Sequence, residues 1–281
     1  MLADSIPKPG CQAFIKKELS VPGGCALNTA VHLGMMKEDV VLCGNDIGAD
    51  IYGEKIKESL KKLGTKFISK QIAGKKTPRC DCLIDQETKE RSFLLYHDGI
   101  QQFRPDMFDE IPFDKIEMAF IDTYLKEASS ALLELIQNRC NKIWLQDLAP
   151  QDPRVALGDV VQISLDGSED FAEENIRFLA QKYFRGRCST IIATAGKIGA
   201  FLLRSDGSCM FEEAQETRVI DTTGCGDAFR AGAMAVWKKN KSWKEILEAG
   251  VARGAHQAAI FGSNPISGLT NHCFIYQAVL A

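Results

Sequence analysis

The sequence predicts an α/β fold: a mostly parallel sheet covered by helices on both faces, with a small second β sheet set apart. Three observations carry this reading. Strand-like and helix-like segments alternate from residue 118 to 194. The strand-like segments, such as VVQIS at 160–164 and TIIAT at 190–194, are rich in Val and Ile, as strands buried on both faces are. Residues 80–96 break the rhythm, because CDCLID and RSFLLY flank the polar turn DQETKE and read as an amphipathic hairpin.

In chain order, CALNTAVHL (25–33) reads as a helix, with Gly34 placed to stop it. VVLC (40–43) is a short buried strand, followed by the loop 44–48. A helix over about 50–63 puts Tyr52, Ile56, Leu60 and Leu63 on one face and ends at Gly64. Lys55, Lys57, Lys61 and Lys62, with Glu54 and Glu58, form its solvated face. After the hairpin come the strand MAFID (118–122), the helix ALLELIQNR (131–139), the strands KIWLQD (142–147) and VVQIS, a helix over 170–184, and the strand TIIAT. AFLLR (200–204) and CMF (209–211) form a second hairpin. Two helices close the chain, and the last opens with Ser242-Trp243-Lys244-Glu245, a capping box. No internal repeat or long linker divides the chain, so a single domain over 1–281 is expected.

Composition narrows the function classes. The 281 residues carry a formal net charge of -3, which argues against a dedicated nucleic-acid binder. No apolar run approaches the ~18 residues of a membrane span, and the N-terminus lacks the pattern of a signal peptide. A cytoplasmic protein with no membrane or nucleic-acid partner is expected. The ten cysteines are scattered, and Cys80-Asp81-Cys82 has the wrong spacing for a zinc knuckle. His32 sits on an otherwise apolar helix face and reads as a packed core histidine.

The stretch DTTGCGDAFRAG (221–232) carries the chemistry. Gly224 and Gly226 permit a tight, positive-φ approach to a ligand. The helix that follows is apolar on most faces, so it is expected to be buried with its first amides pointing inward, a nest for an anion. Asp227 would repel a phosphate, yet beside such a nest it suits a base that takes the proton of an attacking hydroxyl. The competing reading is that Asp227 only caps the helix. No G-x-x-x-x-G-K-[ST] is present, which excludes a P-loop kinase, and no strand-linked G-x-G-x-x-G opens the chain.

These residues resemble the signatures of the PfkB/ribokinase family of carbohydrate kinases. DTTGCGD is similar to its D-T-x-G-A-G-D motif, with Cys225 in place of Ala. GGCALNTAVHLG (23–34) resembles the G-G-x-x-x-N region, in which the paired glycines and the Asn contact sugar hydroxyls. Gly44, Asp46 and Gly48 resemble the loop after it, and Thr77 with the 80–96 hairpin resembles the strands that cover the sugar. Asp166-Gly167-Ser168-Glu169 stands where the family has N-x-x-E, and TAGKIG (194–199) resembles T-x-G-x-x-G beside the nucleotide.

The resemblance implies a ribokinase-like three-layer sandwich with a small β lid around 77–97. It implies ATP-dependent phosphorylation of a hydroxyl on a sugar or sugar-like molecule. Asp227 would be the base and Gly224, Cys225 and Gly226 the anion hole, with Gly23, Gly24 and Asn28 on the acceptor. Thr194, Gly196 and Gly199, with Gly224 and Gly226, would meet the nucleotide. Glu169 would help hold Mg2+, and Asp221 and Thr223 match positions that hold a monovalent cation such as K+ in many members. Lid sheets in the family often pair between subunits, so a homodimer is expected. The family's opening strand, which ends in a sugar-binding Asp, has no counterpart ahead of Ile6-Pro7-Lys8-Pro9-Gly10. That departure fits either a sequence shortened at its N-terminus or, with Asp166 in place of Asn, a catalytically impaired sugar- or nucleotide-binding homologue. A nucleoside kinase on the same scaffold also stays open.

Overall fold

The computed structural model describes residues 1–88, 91–96, 105–124, 126–165 and 171–266. Its first half runs β1 (Leu2–Ala3), β2 (Ile15–Lys17), α1 (Cys25–Met35), β3 (Val41–Cys43), β4 (Ile47–Gly48), α2 (Ile51–Lys62), β5 (Lys66–Ile68), β6 (Gln71–Ile72), β7 (Arg79–Asp85) and β8 (Arg91–Tyr96). The second half runs β9 (Met118–Ile121), α3 (Lys126–Ile136), β10 (Lys142–Gln146), β11 (Val160–Ser164), α4 (Glu173–Gln181), β12 (Thr190–Thr194), β13 (Gly199–Arg204), β14 (Cys209–Glu213), α5 (Cys225–Lys238) and α6 (Trp243–Ala258).

The main sheet has six strands in the order β14-β13-β12-β11-β10-β9. β9 to β12 are parallel, and β13 and β14 return antiparallel. Strand periodicity sorts its side chains onto two faces. Val161, Ile163, Ile191, Ala193, Phe201 and Leu203 point to one face, where Leu133 and Ile136 of α3 and Ile176 and Ala180 of α4 cover them. Val160, Ile192, Ala200 and Leu202 point to the other, under Phe229, Ala233, Ile246, Leu247 and Val251 of α5 and α6. Sheet between helices is the predicted α/β sandwich.

Helices α5 and α6 touch closely. A Cβ on Gly232 would lie 2.5 Å from the Ala249 carbonyl oxygen, and one on Gly250 2.7 Å from the Phe229 ring. Both positions therefore need glycine. The capping box of α6 forms as predicted, with the Ser242 and Glu245 side chains each accepting the other's backbone amide.

The 80–96 hairpin forms as β7 and β8, with Arg79 opposite Tyr96. It belongs to a separate four-stranded sheet in the order β2-β1-β7-β8. Leu2–Ala3 pairs parallel to β7 and antiparallel to β2, so the chain's first residues join this small sheet. Asp4 holds its turn, accepting the amides of Ser5 at 2.8 Å and Phe14 at 3.0 Å. β3 and β5 form a two-stranded parallel sheet of their own, and no ladder among the described residues joins them to β9.

Two local expectations change. Gly34 does not stop α1: the helix runs to Met35, and the left-handed residue is Lys37, at φ 63°. A Cβ on Gly34 would lie 3.1 Å from Leu63 Cβ, so this glycine serves packing against the end of α2. Helix α3 starts at Lys126, five residues earlier than the apolar run implied, because Ser129 packs inward and its hydroxyl accepts from Arg154 at 2.6 Å.

Candidate active site

The parallel strands end at one edge, where loops and helix starts converge. Open α/β sheets bind ligands at such carboxyl edges. Gln146 ends β10, Gln162 lies at the middle of β11, and both side chains reach α5. The Gln162 amide donates to the Gly226 carbonyl at 3.2 Å, which ties the first turn of α5 to the sheet.

Gly224 caps α5 at φ 80°, a left-handed conformation that disfavours a side chain, and a Cβ there would overlap the Ser263 carbonyl. No side chain caps the helix. The Cys225 amide closes a turn onto the Thr222 carbonyl at 3.3 Å, and the first helical bond runs from Ala228 N to Gly224 O at 2.9 Å. A helix that starts this way leaves early amides without intrahelical partners. Gly226 is exposed, as are Gly23 and Gly24 at the start of α1, so the corner opens to solvent on its glycine side.

Asp227 lies beneath, 8% exposed. Its two oxygens have different partners. Asn28 Nδ2 donates to Oδ2 at 2.8 Å, and Arg230 Nη1 donates to Oδ1 at 3.1 Å. Asn28 is itself fixed, because its Oδ1 accepts from Asn264 Nδ2 at 2.8 Å and Asn264 also donates to the Pro22 carbonyl. Packing of α1 on α5 thus brings together two residues that the sequence separates by 199 positions.

Arg230 is the residue that sequence reasoning missed. Its guanidinium, 2% exposed, also donates to Thr29 Oγ1 at 2.9 Å, to Gln162 Oε1 at 3.1 Å and to Gln146 Oε1, and it lies 4.0 Å from the centre of the Phe120 ring. The signal was legible: an Arg three residues after an Asp, on an otherwise apolar buried helix, needs that Asp as partner. Asn264, Gln146 and Gln162 carried no comparable sign.

Two more carboxylates stand close by. Burial raises Asp122 and Asp147 above the usual carboxylate range, against the opposing pull of Arg230. The Tyr124 hydroxyl donates to Asp147 Oδ2 at 3.3 Å. Burial, with Asp227 and Asp122 beside it, pushes the Cys25 thiol up to about 12, so it stays protonated and unreactive.

The other expected residues fall in separate places. Thr194 ends β12 at the same carboxyl edge, and Gly196 (φ 51°) and Gly199 (φ 132°) shape the turn into β13. Asp221 and Thr223 lie in the loop ahead of α5, with Asp221 buried and Oδ1 accepting the Thr223 amide at 2.8 Å. Asp166 and Glu169, and Lys89 and Glu90 in the turn of the hairpin, lie outside the described residues. Two shallow hollows of about 550 and 540 Å³ lie elsewhere, one lined by α2 and β5 and one by α5 and α6.

Among the described residues no group of three His, Cys, Asp or Glu side chains could hold a metal ion. Mg2+ is ordinarily held by one or two carboxylates together with substrate phosphates, so such a cage is not required. No helix among the described residues is long and apolar enough to cross a membrane.

Comparison with known proteins agrees with this architecture. The chain is 24% identical to Mus musculus ketohexokinase over 210 residues, 68% of each protein. Its fold matches ribokinase from Giardia lamblia with a TM-score of 0.76 at 16% identity, covering 95% of this chain and 91% of that one. It matches a Burkholderia thailandensis nucleoside kinase, solved with inosine, with a TM-score of 0.75 at 17% identity over 95% and 89%. Residues 15–265 match the model of the pfkB family carbohydrate kinases, and the chain belongs to that family.

Proposed function

We propose that this chain transfers the terminal phosphoryl group of ATP to a hydroxyl of a sugar or sugar-like acceptor, with Asp227 as general base. One observation carries the reading: Asp227 is a buried carboxylate in the first turn of a glycine-started helix, and Gly226 beside it is exposed to solvent, as are Gly23 and Gly24 ahead of α1. The acceptor hydroxyl would donate to Asp227 Oδ2 in place of Asn28, while Arg230 holds Oδ1 and keeps the carboxylate aimed. Amides of Gly224 and Gly226, with that of Cys225 turning from its 3.3 Å bond to the Thr222 carbonyl, would receive the charge that grows on the phosphoryl oxygens. Thr194, Gly196 and Gly199 would border the nucleotide. Mg2+, with Glu169 as one support, would supply charge neutralisation between the phosphates.

The chain then acts as one domain, 1–281, with the β2-β1-β7-β8 sheet as its lid. Phe14, Ile15, Phe93, Leu94, Leu95 and Tyr96 are exposed on that sheet, which supports closure over an apolar face of the acceptor or pairing with a second copy. Closure would exclude water and limit ATP hydrolysis.

Asp227→Asn tests the base. It keeps the shape and the Arg230 contact, so nucleotide affinity should stay within about twofold while kcat falls at least ~10²-fold. Turnover equal to the parent protein would remove Asp227 from the chemistry. A panel of sugars and nucleosides, read by thermal shift with and without ATP and Mg2+, would identify the acceptor.

A further inference from the structure

The loop ahead of α5 is fastened from behind. Asp221, 1% exposed, accepts the Thr223 amide on Oδ1 at 2.8 Å and the Gly262 amide on Oδ2 at 2.9 Å. The carbonyl oxygens of the same two residues converge on one group, Gln257 Nε2, at 3.2 Å from Thr223 O and 2.6 Å from Gly262 O. Gln257 is fully buried near the end of α6. A monovalent cation here would need the Asp221 carboxylate and these carbonyls as ligands. All four oxygens already face N–H donors, and the point where both carbonyls meet holds an amide nitrogen. The residues present do not fit the cation. The Thr223 hydroxyl is buried and lies against the Cys82 thiol of β7.

The direction of the Gln257 amide is set by its neighbours. Arg253 Nε donates to His32 Nδ1 at 3.1 Å, so the neutral ring carries its proton on Nε2. That nitrogen and Gln257 Oε1 are both buried, and the two side chains adjoin. Reversing the amide would set Oε1 against two carbonyl oxygens and turn its NH2 toward the His32 N–H. Both changes are repulsive. Arg253 and His32 therefore back the Gln257 side chain from behind, while its NH2 meets the loop carbonyls. Ser263, next to Gly262, is the residue whose carbonyl packs on Gly224. Gln257 thus joins the strands of chain on either side of the helix start.

We propose that the Gln257 amide takes the place of a monovalent cation, fixing residues 221–226 so that the chain needs no K+. Gln257 is a positioning residue: it acts through the loop and does not reach the reacting atoms. The link to turnover rests on the kinase reading above, whereas the link to cation binding stands without it.

The test compares the thermal unfolding of the native chain in KCl, NaCl and tetramethylammonium chloride at matched ionic strength. The three Tm values should coincide. A Tm higher in KCl alone would overturn the proposal, because the cation would then be displacing the amide. This arm needs no variant and no substrate. Gln257→Ala vacates the point between the carbonyls. It should lower Tm by roughly 5 °C in tetramethylammonium, with most of the loss recovered in KCl. Gln257→Leu fills the same volume without a donor and should show the loss with no recovery. A Gln257→Ala chain with the same Tm in all three salts would also overturn the proposal. Turnover of the native chain should change less than about twofold between K+ and tetramethylammonium, whereas Gln257→Ala should fall about tenfold and recover in K+. A native chain with no kinase activity would count against the kinase reading and leave the thermal comparison to decide this one.

Discussion

Replacing Arg230 by Met should reveal how strongly Asp227 is held. The guanidinium and the carboxylate are 3.1 Å apart, with side chains 3% and 10% exposed, so water screens the pair little. Removing one member of a buried pair costs about 3–5 kcal/mol, mainly because the other charge stays buried alone. Arg230→Met also removes the donors that serve Thr29, Gln146 and Gln162, while Met keeps much of the packing on Phe120. A loss of about 4 kcal/mol is expected. Asp227→Asn should cost less, about 2 kcal/mol, since the amide oxygen can still accept from Arg230. Without Arg230 the Asp charge is no longer wanted, so the double variant should be more stable than the two losses summed, by on the order of 2 kcal/mol. Urea unfolding of the parent, both single variants and the double variant measures this coupling. Additivity within about 0.5 kcal/mol would refute the energetic link between the two side chains.

Two further outcomes follow from single positions. Gly224→Ala adds a Cβ at φ 80° where the Ser263 carbonyl already sits; it should cost at least about 2 kcal/mol, and a parent-like Tm would show that the loop does not pack this way. His32 should make the fold acid-sensitive. Burial, with Arg253 beside it, carries the imidazole from the usual 6.5 down to about 3. Between those values the unfolded chain binds the proton and the folded chain does not. Stability is therefore intact above about pH 6.5 and is lost progressively as pH falls toward about 3. Going from about pH 7 to about pH 5 should cost roughly 2 kcal/mol from this group, and His32→Gln should flatten that slope. An unchanged slope in the variant would remove His32 as its source.

Much of the fold was legible because the signals are short-range. TIIAT became β12 at the expected residues, and the Ser242–Glu245 box formed, since strand burial and capping depend on residues a few positions apart. Gly34 misled for the opposite reason: its use is set by Leu63 and Thr65, which pack on it from another element. The same division runs through the site. The glycine-bracketed turn and the helix after it were readable in DTTGCGD, and the buried, glycine-capped α5 start formed there. The engagement of both Asp227 oxygens was not readable, nor was the place of Arg230.

The sequence by itself determined the alternating elements, the family, and which stretch would carry the glycines and the carboxylate, because these follow from local periodicity, backbone freedom and residue chemistry. Only the tertiary structure decided that Asn28 and Arg230 hold Asp227, that Leu2–Ala3 joins the small sheet, and that Gln257 stands between the Thr223 and Gly262 carbonyls. Those contacts depend on how α1, α5 and α6 pack, and a side chain's partner across such an interface is fixed by geometry that no short window of sequence contains.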